Sequence, residues 1–254
     1  MKMPRNTFKA RLSEPGSQYG IWVSLADAVA AEIAAVAGFD WILIDGEHAP
    51  NDIRSILAQL QAVHGYDASP IVRPAEGTTV IIKQLLDIGA QTLLIPMVNT
   101  PEQAEELVAA TRYPPRGVRG VASARSARWG QAEDYWAEAD NEVCLIVQIE
   151  TPEALDNLEA IAAVDGVDAL FVGPSDLGAA LGHLGNVGHP DVTAAVSGAL
   201  SRIKATGKAG GALALKPDVA RGYLDAGASF VGLDVDTMLL SRAAKAIVEE
   251  FKNS

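Results

Sequence analysis

The sequence contains few of the features that place a protein outside the cell or in a membrane. Its 254 residues include a single cysteine, Cys144, so an intrachain disulfide cannot form. No apolar run approaches the roughly 18 residues that a membrane-spanning helix needs. Residues 1–9 contain no apolar stretch of the signal-peptide kind. We therefore expect a soluble, cytoplasmic protein with no membrane partner.

Basic residues are scarce as well. The chain has 20 Lys and Arg against 32 Asp and Glu, which gives a formal net charge of −12. Nucleic-acid-binding proteins usually carry a basic surface, and this composition lacks one, so we expect no nucleic-acid partner. Anionic small molecules stay possible ligands, because local arginines or a metal ion can bind them in an acidic protein.

The residues that are present predict a large core built from alternating strands and helices. Hydrophobic residues make up 49% of the chain. Eight apolar runs read as strands: Gly20–Ser24, Trp41–Asp45, Pro70–Arg73, Thr92–Pro96, Val143–Ile149, Ala169–Val172, Ala209–Leu213 and Phe230–Leu233. Each precedes a helical pattern, and these begin near Ala26, Asn51, Thr78, Pro101, Pro152, Pro190, Lys216 and Asp236. Eight such units in roughly 250 residues favour a (β/α)8 TIM barrel, formed as one domain over residues 1–254. An open, doubly wound sheet is the competing fold.

Five further segments of the chain indicate helix starts, functional loops or subunit contacts. Thr100 and Thr151 each precede a proline, which is typical of an N-cap followed by the first helical position. The connections from Tyr113 to Asp140 and from Leu177 to His189 are longer than a barrel requires, and long loops are often functional or involved in assembly. The helix that begins at Asp236 is apolar around much of its circumference, so part of it is expected to meet another subunit.

Charged residues follow several of the predicted strands. Barrel active sites form where the strands end, so these residues are the candidates for chemistry. They are Asp45 and His48 after strand two, Arg73 after strand three, Glu150 after strand five, Asp176 after strand six and Asp234 after strand eight. Taken singly, each could instead be a helix cap or a turn residue.

The candidates form a plausible catalytic set. Glu150 and Asp176, on neighbouring units, could share a divalent cation through oxygen ligands. Asp45 could orient His48 for proton transfer near neutral pH. The fixed charge of Arg73 could stabilise an oxyanion or enolate.

Other catalytic strategies find little support. The chain has no Gly-x-Ser-x-Gly elbow and no P-loop. A Schiff-base aldolase needs a lysine on a strand facing the barrel interior. The lysines nearest to such positions instead lie in helical patterns, before a strand or at the start of a helix: Lys83, Lys204, Lys208, Lys216 and Lys245.

Several motifs, taken together and in order, resemble a known enzyme family. They are Asp45-Gly46-Glu47-His48, Val72-Arg73-Pro74, Tyr113-Pro114-Pro115-Arg116-Gly117-Val118-Arg119-Gly120, Gln148-Ile149-Glu150-Thr151 and Phe171-Val172-Gly173-Pro174-Ser175-Asp176-Leu177. They are similar to motifs of the metal-dependent (class II) pyruvate aldolases that act on 2-keto-3-deoxy-sugar acids and 2,4-dihydroxyhept-2-ene-1,7-dioate. The resemblance runs from about residue 20 to residue 251.

The resemblance implies an activity and a cofactor. Such an enzyme reversibly cleaves 4-hydroxy-2-keto acids into pyruvate, or a pyruvate-like keto acid, and an aldehyde through a metal-stabilised enolate. Mg²⁺, Mn²⁺ or Co²⁺ would be held by Glu150 and Asp176. Catalysis would involve His48, Asp45 and Arg73, with Asp87 reaching the site of a neighbouring subunit.

The resemblance also implies how the substrate is bound and how the chain assembles. The implied substrate-binding residues are Arg73, Gln148, Gly173, Pro174, Ser175 and Leu213. The family is typically homohexameric, with the last helix exchanged between subunits. Two other functions stay open from the sequence: a lyase acting on acyl-CoA esters of the citramalyl or malyl type, and a non-catalytic barrel that binds keto acids.

Overall fold

A closed barrel of eight parallel strands forms the centre of the molecule. The computed structural model describes residues 1–252, and each strand pairs with the next in chain order until the eighth pairs with the first. The strands are β1 Gln18–Val23, β2 Trp41–Asp45, β3 Ser69–Arg73, β4 Thr92–Ile95, β5 Cys144–Ile149, β6 Ala169–Val172, β7 Ala209–Leu213 and β8 Phe230–Val235. The predicted (β/α)8 TIM barrel is thereby confirmed, and the open sheet is excluded.

Helices surround the barrel. They are α1 Thr7–Arg11, α2 Ala28–Val36, α3 Ile53–Ala62, α4 Thr79–Asp87, α5 Pro101–Thr111, α6 Tyr135–Glu138, α7 Pro152–Asp156, α8 Leu158–Ala163, α9 Pro174–Ala180, α10 Pro190–Ala205, α11 Pro217–Asp225 and α12 Asp236–Lys252. Short 3-10 helices cover Val63–Gly65 and Arg125–Gly130. The starts predicted at Pro101, Pro152, Pro190 and Asp236 are confirmed, whereas α1, α6, α8 and α9 were not predicted. Within the described chain, no helix is long and apolar enough to cross a membrane.

Two of the predicted N-caps are present. The Thr100 hydroxyl accepts a hydrogen bond from the backbone N–H of Gln103, and the Thr151 hydroxyl accepts one from that of Ala154. These bonds satisfy amides that the first turn of a helix leaves without carbonyl partners. The Thr-Pro pairs therefore fix where α5 and α7 begin.

Aromatic side chains fill the interior of the barrel. Phe8, from α1, is fully buried and its ring centroid lies 5.4 Å from that of Phe230 in an edge-to-face contact. A Cβ atom at Gly211 would come within 2.3 Å of the Phe230 ring, so β7 needs glycine at this position. Cys144 is fully buried in this core, where it packs as a small hydrophobic residue. The barrel is thus a packed core that holds its mouth residues on rigid strands.

The last helix is an exception to this close packing. No residue of α12 is buried, although it contacts β1 and β8. Leu240 and Ile247 are each 59% exposed. On α2, Val29 and Ile33 are also mostly exposed. Two apolar helical faces are therefore uncovered in one subunit, and exposed apolar surface of this kind usually marks a protein contact.

Candidate active site

Charged residues from four strands meet at the carboxyl end of the barrel. Asp45 and Arg73 are the last residues of β2 and β3, and they are paired directly in the strand register. Glu150 follows β5, and Asp176 lies in the first turn of α9 just after β6. The structure therefore brings the sequence-predicted candidates of these strands to one face, where barrel enzymes carry their active sites.

Arg73 is held rigidly by two carboxylates. Its Nε and one terminal nitrogen donate to the two oxygens of Asp45 at 2.9 and 2.7 Å, and its other terminal nitrogen lies 2.9 Å from Glu47 Oε2. The guanidinium also lies over the Trp22 ring, 5.8 Å from its centroid. The Arg73 side chain is only 8% exposed. A buried, bidentate pair of this kind fixes both the position and the plane of the guanidinium.

The environment of His48 differs from the expected one. We expected Asp45 to orient the imidazole, but the Asp45 carboxylate binds Arg73 and accepts hydrogen bonds from the backbone amides of Glu47 and His48. The residue beside the imidazole is Glu47, whose Oε2 lies 3.8 Å from His48 Nε2. The imidazole is 64% exposed. It is therefore free to meet a ligand at the barrel mouth, and Asp45 acts on it only through the backbone.

Sequence reasoning missed Glu47, although it lies inside the Asp45–His48 motif. Its carboxylate is 17% exposed, and burial is the main cause that raises its pKa. The charges of Asp45 and Asp176 raise this pKa further, whereas Arg73 and His48 lower it. The sequence does carry one signal for Glu47, which is its position two residues after Asp45, the last residue of β2.

Glu150 is a buried carboxylate with few hydrogen-bond donors around it. Oε1 accepts from the backbone N–H of Met97 at 2.8 Å, and Oε2 accepts from the side-chain amide of Gln148. Burial raises the pKa of Glu150 to about 7, and the negative charges of Asp176 and Glu47 add to the rise. Met97 has a left-handed backbone (φ 57°), which is uncommon for a non-glycine residue and is often found at functional sites.

The residues around Glu150 suit a divalent cation. Asp176 is exposed, and its negative charge raises the pKa of Glu150, so two carboxylates of like charge interact at this end of the barrel. A Cβ at Gly173 would lie 2.4 Å from Glu150 Oε2, so only glycine leaves this oxygen accessible. Gln148 Oε1 is buried and has no hydrogen-bond partner within the part of the chain that the structure describes. Hard cations bind such oxygen sets, and a positive charge would offset the repulsion between the carboxylates.

The remaining predicted residues fall into two groups. Gln148, Pro174, Ser175 and Leu213 lie on β5, on α9 and at the end of β7, around the same mouth. Asp87 lies at the carboxyl end of α4, the opposite end of the barrel, where Arg119 contacts it at 3.2 Å. Asp87 therefore cannot join the site of its own chain. Asp234 forms an ion pair with Arg242.

A cluster of two histidines and an aspartate lies at the start of α10. His183 and His189 stack with ring centroids 3.6 Å apart and an interplanar angle of 14°, and Asp191 lies near both. Parallel rings direct their in-plane lone pairs side by side and not toward one point. His189 Nδ1 also accepts the backbone N–H of Asp191. We interpret the cluster as the N-terminal cap of α10.

Comparison with known proteins places the chain among aldolases. The family model described as HpcH/HpaI aldolase/citrate lyase matches residues 18–243. A hydroxypyruvate/pyruvate aldolase from Pseudomonas aeruginosa is 55% identical, over 99% of this chain and 95% of that protein. A 2-keto-3-deoxy-L-rhamnonate aldolase from Escherichia coli is 53% identical, over 98% and 94%. The crystal structure of an HpcH/HpaI aldolase/citrate lyase family protein from Burkholderia cenocepacia superposes with a TM-score of 0.93 at 42% identity, covering 97% of this chain and 99% of that one.

Proposed function

Because this chain belongs to the HpcH/HpaI aldolase/citrate lyase family, we propose that it is a divalent-metal-dependent aldolase. It reversibly cleaves 4-hydroxy-2-keto acids into pyruvate, or a pyruvate-like keto acid, and an aldehyde. The observation that carries this proposal is the convergence of Glu150, Asp176 and Arg73 at one end of the barrel. Relatives named as aldolases over nearly the whole chain support it.

Glu150 and Asp176 would hold the cation. Mg²⁺, Mn²⁺ and Co²⁺ all accept carboxylate oxygens, and the two side chains leave room for ligands from the substrate. When bound, the cation would act as a Lewis acid toward charge that develops on the substrate, worth several kcal/mol. Glu150 must be ionised to bind it, and its pKa of about 7 means that cation binding competes with a proton near neutrality.

Substrate binding would use the residues around this pair. In the first turn of α9, Pro174 has no N–H, and the backbone amides of Ser175 and Asp176 have no carbonyl partners within the helix, so these two amides would bind the substrate carboxylate. The residues that we assign to substrate binding are Arg73, Gln148, Gly173, Pro174, Ser175 and Leu213. Leu213 packs against the aromatic interior and would border the apolar part of the ligand.

Arg73 and His48 would carry the chemical steps. Asp45 and Glu47 hold the Arg73 guanidinium in place, so its remaining N–H groups face a developing enolate without reorganisation. The exposed His48 imidazole would move the proton of the C4 hydroxyl, and Glu47 would orient it. Asp45 contributes by fixing Arg73 and the backbone of His48.

The metal requirement gives the first test. Pyruvate release from 4-hydroxy-2-keto acids should stop after exhaustive chelation and return when Mg²⁺, Mn²⁺ or Co²⁺ is added. A coupled assay for pyruvate measures this directly. Full turnover in the chelated protein, or a lysine adduct trapped by borohydride, would contradict the proposed mechanism.

Proton transfer gives a second test. His48→Ala should lower aldol cleavage by roughly 10²–10⁴-fold, the usual contribution of a positioned acid or base. Cation affinity should stay nearly unchanged, because His48 is not a proposed ligand. Titration calorimetry with Mn²⁺ measures that affinity, and a collapse of cation binding in the variant would refute the assignment.

We propose that the chain acts as a homohexamer in which α12 is exchanged between subunits. The exposed apolar faces of α12 and α2 support this, because α12 of one subunit would cover α2 of a neighbouring subunit, and the reverse. Asp87, at the far end of its own barrel, could then complete a neighbour's site. Light scattering at micromolar concentration should give a mass near that of a hexamer, and a clean monomer of 26.6 kDa would overturn the assembly.

A further inference from the structure

A cavity lies at the opposite end of the barrel from the candidate active site. Its volume is about 250 Å³. Ser69 and Gln91, at the amino ends of β3 and β4, form part of its wall. The N-terminal segment 3–7 and the Arg125–Arg128 part of the long loop close it from outside. We call it the arginine cavity, because Arg5, Arg119, Arg125 and Arg128 line it.

Two of the four arginines have no carboxylate partner. Arg5 pairs with Glu142, and Arg119 pairs with Asp87. Arg125 donates to the backbone carbonyl of Ile88, and neither it nor Arg128 forms an ion pair with any residue of the described range 1–252. The one acidic residue of the lining, Asp67, is exposed and lies too far from any cation in that range to form an ion pair. The cavity thus concentrates unpaired positive charge in an otherwise acidic protein.

Three polar atoms in the cavity lack hydrogen-bond partners among the described residues. Arg119 is 2% exposed and its Nε is buried without an acceptor. Ser126 Oγ and Arg128 Nε are also buried and unpartnered. A buried polar group without a hydrogen-bond partner destabilises the folded state, and a charged group does so more strongly. Three such atoms in one cavity indicate a missing acceptor.

The local electrostatics and backbone agree with a missing anion. Burial lowers the pKa of Arg125, and the charge of Arg128 lowers it further. The pKa of His64 is lowered by burial and then by Arg128 and Arg125. Arg128 itself has a left-handed backbone (φ 50°), a conformation that costs free energy and is typical of ligand-binding positions. The chain therefore holds these cations together against their repulsion.

We propose that the arginine cavity is a binding site for a phosphate group. Two unpaired guanidinium groups match the charge of a phosphate dianion, whereas a single carboxylate would neutralise only one. Guanidinium forks bind phosphate oxygens bidentately, and the Ser126 hydroxyl supplies a further donor. The volume exceeds that of a phosphate ion, so a small phosphate monoester also fits. This site is separate from the proposed metal site and does not depend on the proposed reaction.

Titration calorimetry with inorganic phosphate, at constant ionic strength and with Mg²⁺ present, tests the proposal. Arg128→Met should weaken phosphate binding at least tenfold. The matched control is Arg221→Met, because Arg221 is exposed and makes no ion pair with another residue of the range 1–252. The phosphate affinity of this variant should equal that of the wild type. Glu150→Gln should also leave phosphate affinity unchanged, which separates this cavity from the metal site. Glycerol phosphate in place of phosphate distinguishes a monoester ligand from the free ion.

Thermal unfolding distinguishes a ligand site from a structural cluster. In phosphate-free buffer, Arg128→Met should melt no lower than the wild type, because it removes one of two repelling charges. Phosphate should raise the melting temperature of the wild type and not that of the variant. Ser126→Ala, a smaller change at an unpartnered hydroxyl, should fold normally and bind phosphate several-fold more weakly. No phosphate binding at millimolar concentration, or equal loss in Arg221→Met, would overturn the proposal.

Discussion

Glu150→Gln should reduce aldol cleavage by at least about 10³-fold. The substitution preserves the size of the side chain but removes the charge that binds a divalent cation. Lewis-acid stabilisation is worth several kcal/mol, and each 1.4 kcal/mol corresponds to about tenfold in rate. Gln148 can accommodate the change by turning its amide, because its buried oxygen has no present partner. Pyruvate release and Mn²⁺ titration should both show the loss.

The same variant should be more stable than the wild type when both are free of metal at pH 8. Glu150 has a pKa of about 7 in the folded protein against an ordinary value of 4.5, so the folded state holds its proton more tightly. This contribution to stability is present below pH 4.5 and is lost as the pH rises through about 7. Glutamine carries no charge at any pH, so the variant should not show the loss of stability that Glu150 causes in the wild type. The measurement is the melting temperature of both proteins as a function of pH.

Glu142→Gln is the matched control for this prediction. Glu142 is also buried, but it lies at the other end of the barrel and accepts hydrogen bonds from Arg5 and the backbone of Asn6. Its substitution should lower the melting temperature and leave turnover intact. If Glu150→Gln behaved like this control, with lower stability and normal activity, Glu150 would be a structural residue and not a cation ligand.

Much of the fold was predictable because a barrel repeats one simple pattern. Each buried strand is a continuous apolar run, and the bounds of Trp41–Asp45, Ala169–Val172 and Ala209–Leu213 agree with the prediction. The site candidates followed from the same pattern, since a charged residue after a buried strand lies at the barrel mouth. Glu150 and Asp176 were found in this way.

The parts that were not predicted depend on contacts between distant segments. Phe8 is buried only because α1 covers the end of the barrel, and five residues give no clear helical period. The sequence also does not show which partner a charged side chain binds. Asp45 binds Arg73, 28 residues away, and not the nearby His48 imidazole. The amide of Met97 reaches Glu150 through a left-handed backbone that its sequence does not signal.

Arg73→Ala should lower the catalytic rate constant by roughly 10²–10³-fold, the scale for losing one donor to a developing oxyanion. The guanidinium is fixed before the substrate arrives, so it should stabilise the transition state more than the ground state. Arg73→Lys keeps the charge but loses the planar fork that Asp45 and Glu47 hold, and it should also lose rate. Because the Ala variant leaves Asp45 buried without its partner, circular dichroism must first show that both variants fold.

Exchange of the pyruvate methyl protons with solvent separates catalysis by Arg73 from simple binding. That exchange passes through the same enolate as aldol cleavage but needs no aldehyde, so it isolates the step that Arg73 is proposed to assist. Both variants should slow it, with Ala slower than Lys, and NMR in heavy water measures the rate directly. If Arg73→Ala only raised the Michaelis constant and left the exchange at its wild-type rate, Arg73 would bind the substrate without stabilising the enolate.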